Sequence, residues 1–266
     1  MRALLAGLAV TGLLTGLTSG GRHQRAPALD SKLARLDHHS SSAQSGARFH
    51  GSVTIGRSAL GRRISVREYG ANEDGRRVLV FGCIHGTECA ADAIPRFQYG
   101  CPTAGGIFYV PNLNPDGFAI GTRLNGRGVD LNRNFPSAWR PIGQRWDLEY
   151  SGPRPFSEPE VRLAARLIRA LHPDVTIWFH QEAAPMVRAW GPSVSAARRF
   201  ARHLRAVRYT RLPFRRLPWL AGTAPNWQNH RFPGTASFVV ELPPGPLPQG
   251  DALLVGGAVA RLAGRS

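Results

Sequence analysis

Four short, dominantly apolar runs limit most strongly how this chain can fold: Val78-Leu79-Val80-Phe81, Ile107-Phe108-Tyr109-Val110, Val175-Thr176-Ile177-Trp178-Phe179 and Ser237-Phe238-Val239-Val240. None alternates polar with apolar residues, as expected of strands buried on both faces. Segments with helical character lie between and after them, at roughly 89–97, at 158–171 with Pro159 near its start, at 195–206 and at 251–263. Strands alternating with helices predict a single α/β domain: a mostly parallel mixed sheet covered by helices on both faces. The length of 266 residues suits one sizeable domain of this kind.

The residues just past each run carry more chemistry than the runs themselves. His85 and Glu88 come after the first, and Asn112-Leu113-Asn114-Pro115-Asp116-Gly117 after the second. His180 comes directly after the third and Glu241 directly after the fourth. Ligand sites in open α/β sheets form at the carboxyl ends of the strands. Four chemically capable segments are therefore expected to converge on one sheet edge.

A catalytic zinc takes three protein ligands from His and carboxylate and keeps one position open. His85-Gly86-Thr87-Glu88 offers an imidazole and a carboxylate three residues apart, and His180 can complete the set. The H-x-x-E spacing alone is weak. A lone strand-end His is usually a satisfied histidine, and Glu88 alone is the acid that a first helical turn favours. Together with His180 and Glu241 the signal is much stronger. Glu241 is the least comfortable as a merely structural residue, because a carboxylate closing Phe238-Val239-Val240 would be buried without an obvious partner. Cys83 and Cys89 flank His85 but lack zinc-ribbon spacing, so buried thiols are expected there. The long segment 121–136, dense in Arg, Asn and Gly, is either a solvated excursion or an anion-binding lining, and its length points to a functional loop.

The N-terminus speaks to compartment. Met1-Arg2 precedes an apolar stretch from Ala3 to Thr18 that breaks at Ser19-Gly20-Gly21, too short for a comfortable membrane span. Residues 1–21 are expected to be a signal peptide or N-terminal anchor, 22–50 a flexible spacer, and 51–266 the catalytic domain. Export is expected, with any membrane attachment confined to an uncleaved N-terminal segment. With Cys83, Cys89 and Cys101 there is room for one disulfide, for which Cys89–Cys101 is a candidate pairing that sequence cannot fix. The formal net charge of +17 is carried almost wholly by scattered Arg, with a single Lys at position 32. No nucleic-acid motif accompanies it, so a solvated surface, with electrostatic contact to anionic cell-wall polymers, is the expected meaning rather than nucleic-acid binding.

Taken in order, His85-Gly-Thr-Glu88, Asn114-Pro-Asp-Gly117, Thr122-Arg-Leu-Asn125, Gly128-Val-Asp-Leu-Asn-Arg-Asn-Phe135, His180 and Phe238-Val-Val-Glu241 resemble the zinc carboxypeptidase family across about 53–262. The form Asp130-Leu-Asn-Arg-Asn-Phe-Pro136 is especially similar to the bacterial branch of murein peptide amidases, which hydrolyse the bond between γ-D-glutamate and diaminopimelate in cell-wall peptides. The resemblance implies one zinc held by His85, Glu88 and His180. It implies that Glu241 takes a proton from the attacking water and later delivers it to the leaving amine. It makes Arg123 the cation that polarises the scissile carbonyl, Asn132 and Arg133 the pair that docks a free carboxylate, and Asp130 the group that orients the first zinc histidine. The implied substrate is a peptide or muropeptide. Two departures bear on specificity: Thr87 stands where digestive members carry Arg, and 212–227 offers Trp219 but no match to the mobile active-site Tyr.

Two other readings compete. An N-acyl amino acid deacylase of the aspartoacylase or succinylglutamate desuccinylase type shares the zinc set, but Asn114-Pro-Asp-Gly117 and the Asn-Arg-Asn-Phe-Pro segment favour the peptidase side. A catalytically dead cell-wall-binding module is disfavoured by the joint presence of Glu241, Arg123 and all three candidate ligands.

Overall fold

The computed structural model describes residues 49–70, 75–94, 106–206, 214–216 and 220–264. Its eight strands are β1 (Phe49–Arg57), β2 (Arg63–Tyr69), β3 (Val78–Phe81), β4 (Ile107–Val110), β5 (Val175–Gln181), β6 (Met186–Ala189), β7 (Phe214–Arg216) and β8 (Ala236–Leu242). They form one mixed sheet in the order β1-β2-β4-β3-β5-β8-β6-β7. The central strands β4, β3, β5 and β8 run parallel to one another. Antiparallel pairing joins β1 to β2, β2 to β4, and β6 to β8. This is the expected mostly parallel mixed sheet, extended by an N-terminal hairpin and by the β6–β7 edge. Those additions were not legible as apolar runs: β2 alternates buried and part-exposed residues, and β6 and β7 are only four and three residues long.

The helices are α1 (Pro115–Ile120), α2 (Pro159–Leu171), α3 (Val194–Ala206), α4 (Ala224–Arg231) and α5 (Gln249–Ala263). Successive strand residues face opposite sides, and the core divides accordingly. Val80, Ile177, Phe179 and Val240 pack with Phe200 and Leu204 of α3 and Val255 and Val259 of α5. Leu79, Phe81, Trp178 and Val239 pack with Val161 and Leu167 of α2 and Trp227 of α4. Phe81 and Trp178 stack with centroids 4.1 Å apart, and Trp178 donates through its indole N–H to Ser237 Oγ at 3.0 Å. Each fully buried Phe or Leu of this kind contributes about 1.5–3 kcal/mol.

The segment 89–97 yields only a short 3-10 turn, Ala90–Ala93, within the described residues. Helix α1 begins inside the segment Asn114-Pro-Asp-Gly117 and runs on to Ile120. Asn114 accepts a hydrogen bond from Gly117 N at 2.9 Å, Pro115 opens the first turn, and Gly121 closes it with φ +68°. Asp116 of α1 is fully buried and accepts from Ser58 Oγ, Leu60 N and Arg62 Nη1, each at 2.8 Å, which ties the β1–β2 turn to this helix. Helix α4 begins within the 212–227 segment and runs beyond it; Trp219 lies outside the described residues.

Candidate active site and metal centre

Trp178 and Val239 face the α2–α4 side of the sheet, so His180 and Glu241, two residues further along β5 and β8, face it too. They are Cα register partners. Both lie inside their strands, which run on to Gln181 and Leu242, rather than just beyond them as the sequence suggested. The turn after β3 brings His85 and Glu88 to the same place. Gly86 makes that turn possible, because a Cβ there would fall inside the backbone of Gly117 and Phe118.

Cys83 and Cys89 bracket this turn and are joined by a disulfide, with their Cα atoms 4.6 Å apart. This corrects both the Cys89–Cys101 candidate and the expectation of buried thiols at 83 and 89. The chain reverses between 83 and 89, which brings the two Cα atoms within bridging range despite a separation of only six residues. Cys101 lies outside the described residues.

His85 Nδ1 and His180 Nδ1 each lie 2.9 Å from Glu88 Oε2, and one ligand atom from each residue lies within 4.8 Å of the others. His85 Nε2 lies 3.1 Å from Asp130 Oδ1. An ionised carboxylate can only accept, so Asp130 holds a proton on His85 Nε2. Two imidazole nitrogens gathered on one carboxylate oxygen are held there by protons on the rings or by a cation among the three. The donor set, two imidazole nitrogens and one carboxylate, fits a zinc.

Asp130 is fully buried and fully used. Its Oδ1 also accepts from Asn132 N at 2.8 Å, and its Oδ2 accepts from Arg123 Nε at 3.2 Å and Nη2 at 3.1 Å. Arg123 Nη1 reaches Glu88 Oε1 at 2.9 Å, leaving two of its five N–H donors uncommitted. These contacts set the charge states. Burial works to raise the pKa of Glu88, but hydrogen bonds and charge from His180 and His85 prevail and hold it well below the usual carboxylate range. Asp130 behaves alike: burial opposes its charge, and His85 followed by Arg123 overcomes that. For His85, burial favours the neutral ring, but Asp130 and Glu88 outweigh it and the pKa is raised.

The 121–136 segment is not a solvated excursion. Leu124, Asn125, Val129, Asp130, Leu131, Asn134 and Phe135 are all buried. Its Asn residues mostly fasten the loop itself. Asn125 donates to Glu158 Oε2 at 2.8 Å and accepts from Arg127 N and Val129 N at 3.0 and 3.1 Å. Asn134 donates to Ser151 O and Ser157 Oγ, both at 2.8 Å. Only Arg123, Asn132 and Arg133 of this segment face the cleft. Asn132 Oδ1 accepts from Ala224 N at 3.0 Å, which orients the amide, and Arg133 Nη2 pairs with Glu149 Oε1 at 2.6 Å. Gly222, at φ +70°, lies against the Arg133 backbone where a Cβ would collide.

The resulting cleft, of about 310 Å³, is lined by His85, Glu88, His180 and Glu241 together with Arg123, Asn132 and Arg133. Every cleft residue expected from sequence is thus present on one wall or another, with Asp130 behind His85. Sequence reasoning missed Glu182, Arg188 and Trp190, which also line it. Arg188 carried no signal of its own, because the strand Met186–Ala189 is only four residues long.

Comparison with known proteins agrees with this geometry. Residues 106–230 match the Peptidase_M14 model, zinc carboxypeptidase. Murein peptide amidase A of Escherichia coli K12 is 37% identical over 83 residues, 27% of this chain and 34% of the amidase, so the match spans about a third of that relative. Carboxypeptidase B of Astacus astacus is 28% identical over 170 residues, 52% of this chain and 56% of the relative. The crystal structure of murein-tripeptide amidase from Escherichia coli O157 superposes with a TM-score of 0.61 at 22% identity, over 85% of this chain and 94% of that one. Carboxypeptidase A from Helicoverpa armigera gives a TM-score of 0.62 at 18% identity, over 79% and 68% of the two chains. Residues 106–230 are thus similar to the zinc carboxypeptidase model, the chain has the fold of the solved carboxypeptidase and amidase structures, and its His85-Glu88-His180 set could hold one metal ion.

Proposed function

We propose that this protein is a zinc-dependent metallocarboxypeptidase or amidase that hydrolyses a peptide-type amide bond next to a free carboxylate, in cell-wall peptides. The observation that carries this reading is the meeting of His85 Nδ1, His180 Nδ1 and Glu88 Oε2 in a cleft that also contains Glu241 and Arg133.

His85, Glu88 and His180 hold the zinc, which when bound lowers the pKa of water and polarises a carbonyl. Glu241 is the general base: it accepts a proton from the attacking water at a carboxylate oxygen and returns it to the leaving nitrogen. Arg123 keeps two N–H donors for the oxygen that gains charge at the scissile carbonyl. Asp130 fixes the His85 tautomer and the Arg123 fork at once. Arg133, with Asn132, receives the free carboxylate of the leaving residue, so the cut falls one residue from a chain end.

Similarity to the Escherichia coli murein amidases favours murein peptides as substrate, and the N-terminal apolar stretch Ala3–Thr18 supports export to the cell envelope, where such peptides are found. Release of amino acids from a panel of muropeptides and ordinary peptides, with and without chelator, tests the reading. Chelator-sensitive release from a free-carboxylate end supports it. Undiminished hydrolysis in excess chelator, or no hydrolysis of any substrate by zinc-loaded protein, sinks it.

A further inference from the structure

The parallel strands begin at the end of the sheet away from the cleft. Val78, Ile107 and Val175 are level there in register, and Tyr69 of β2 and Phe49 of β1 stand level with them. His180 comes five residues after Val175 on β5, so about 17 Å separates this end from the cleft. Basic side chains gather at this end. Arg76, two residues before β3, donates its backbone N–H to Ala263 O at 2.9 Å, which brings the last turn of α5, with Arg261, beside it. Arg199, Arg202 and His203 come from α3, which packs against α5. Arg202 and Arg261 are exposed, and Arg76 and Arg199 are partly so. None of these four Arg side chains forms an ion pair among the described residues. Arg199 Nε is buried without a hydrogen-bond partner there, a costly state for a charged group. Burial, then Arg76 and Arg202, hold Arg199 below the usual arginine range, and burial, then Arg261, Arg202 and Arg199, lower His203. Asp174, an acid at the same end, is occupied by Arg77 N at 2.8 Å. The helix dipole accounts for Arg261 in the last turn of α5, but not for Arg76 or the partly buried Arg199. Like charges gathered without counter-charge repel one another, so the cluster calls for an anion from outside the chain.

We propose that this corner, where α3 and α5 meet the start of β3, docks the domain on an anionic phospholipid surface. The chain's own course selects a membrane among anionic partners. Phe49 opens β1 at the same end of the sheet, and residues 19–48 join it to the apolar stretch Ala3–Thr18. Attachment through that stretch holds the domain over the lipid by this end, at a high effective concentration, so a weak patch suffices to dock it. A guanidinium offers a phosphodiester two parallel N–H donors. Each basic residue near an anionic leaflet strengthens binding by roughly fivefold. Docked in this way, the cleft faces away from the lipid. The surface shares no residue with the cleft and is independent of the hydrolase reading.

The test titrates full-length protein with vesicles of phosphatidylcholine and with vesicles that also contain phosphatidylglycerol, and reads the ratio of the two dissociation constants. Binding through the apolar stretch contributes to both and cancels in the ratio. The wild type should prefer the anionic vesicles, and high salt should remove the preference. Arg199→Gln combined with Arg202→Gln should cut it by about twentyfold, whereas Lys at both positions should keep most of it. Arg140→Gln combined with Arg145→Gln removes the same charge from exposed positions in the loop beyond Asp130 and should also leave most of the preference intact. A wild type without preference overturns the proposal, as does a preference that survives Arg199→Gln with Arg202→Gln or that falls equally in the Arg140 and Arg145 control. A soluble poly(glycerol phosphate) is titrated in parallel. Binding to that polymer that depends on Arg199 and Arg202, without preference for anionic vesicles, overturns membrane docking and assigns the corner to a phosphate polymer instead.

Discussion

His180 and Glu241 face each other as register partners on the adjacent parallel strands β5 and β8. A proposed metal ligand and a proposed base are thereby fixed by the sheet's own hydrogen-bond ladder and not by loops. Neither can shift without disturbing a strand whose residues are almost all buried. Such placement on rigid elements is what a preorganised site requires.

Glu241→Gln keeps the side-chain shape and removes the proposed base. Zinc content should stay at about one equivalent, while turnover falls by about a hundred- to ten-thousandfold. Single-turnover kinetics with parallel metal analysis would check this. Near-normal turnover would make Glu241 a structural carboxylate.

Asp130 holds His85 Nε2 and the Nε and Nη2 nitrogens of Arg123, so its loss should be felt at the metal. Asp130→Ala should weaken zinc binding by about ten- to a hundredfold. Because zinc binds the folded chain, a hundredfold excess over the dissociation constant should add about 2.7 kcal/mol of stability to the wild type, and the variant should need more zinc to reach it. Competition with a fluorescent chelator measures the affinity directly. An unchanged affinity would reduce Asp130 to a loop fastener.

Much of this arrangement was legible in the sequence because the central strands are buried on both faces. Burial of that kind leaves unbroken apolar runs, and a polar residue closing such a run stands out, as His180 and Glu241 do. Arg188 escaped notice because β6 is four residues long and pairs antiparallel at the far side of β8, where no run announces a strand. Asn125 and Asn134 lie in a segment that could be read as an anion-binding lining, yet they fasten backbone turns. A sequence shows that an amide is available but not which way it points. The Cys83–Cys89 bridge was hidden for a related reason, since the tight reversal that allows it depends on tertiary packing at Gly86.

Glu160 is buried beside Glu158, and burial raises its pKa, opposed by hydrogen bonds from Ala59 N and Asn125. Below the ordinary glutamate range both folded and unfolded chains are protonated, and this contribution to stability is fully present. As pH rises, the unfolded chain loses its proton first, so the folded state binds more protons and stability falls until the folded pKa is passed. Glu160→Gln cannot ionise and should flatten that part of the curve. Urea midpoints measured across this range for both proteins would show it. Parallel curves would mean that Glu160 ionises in the folded state as easily as in the unfolded one.

In the proposed mechanism, Arg133 decides whether hydrolysis needs a chain end. Its side chain is largely buried and its guanidinium is held by Glu149 Oε1 and by the carbonyl of Asn132, while Gly222 presses against its backbone. A cation so positioned in the cleft, beside an amide oriented by Ala224 N, is suited to a substrate carboxylate. Arg133→Ala should raise KM for carboxylate-bearing substrates with zinc occupancy unchanged. Losing a charge-assisted hydrogen-bonded pair costs about 1.5–3 kcal/mol, or roughly ten- to a hundredfold in affinity. Amidating the substrate's terminal carboxylate should cost the wild type a similar factor and the variant much less, so the two changes should be strongly non-additive. Equal cleavage of amidated and free substrates by the wild type would remove carboxylate docking from the mechanism and point instead to an endopeptidase.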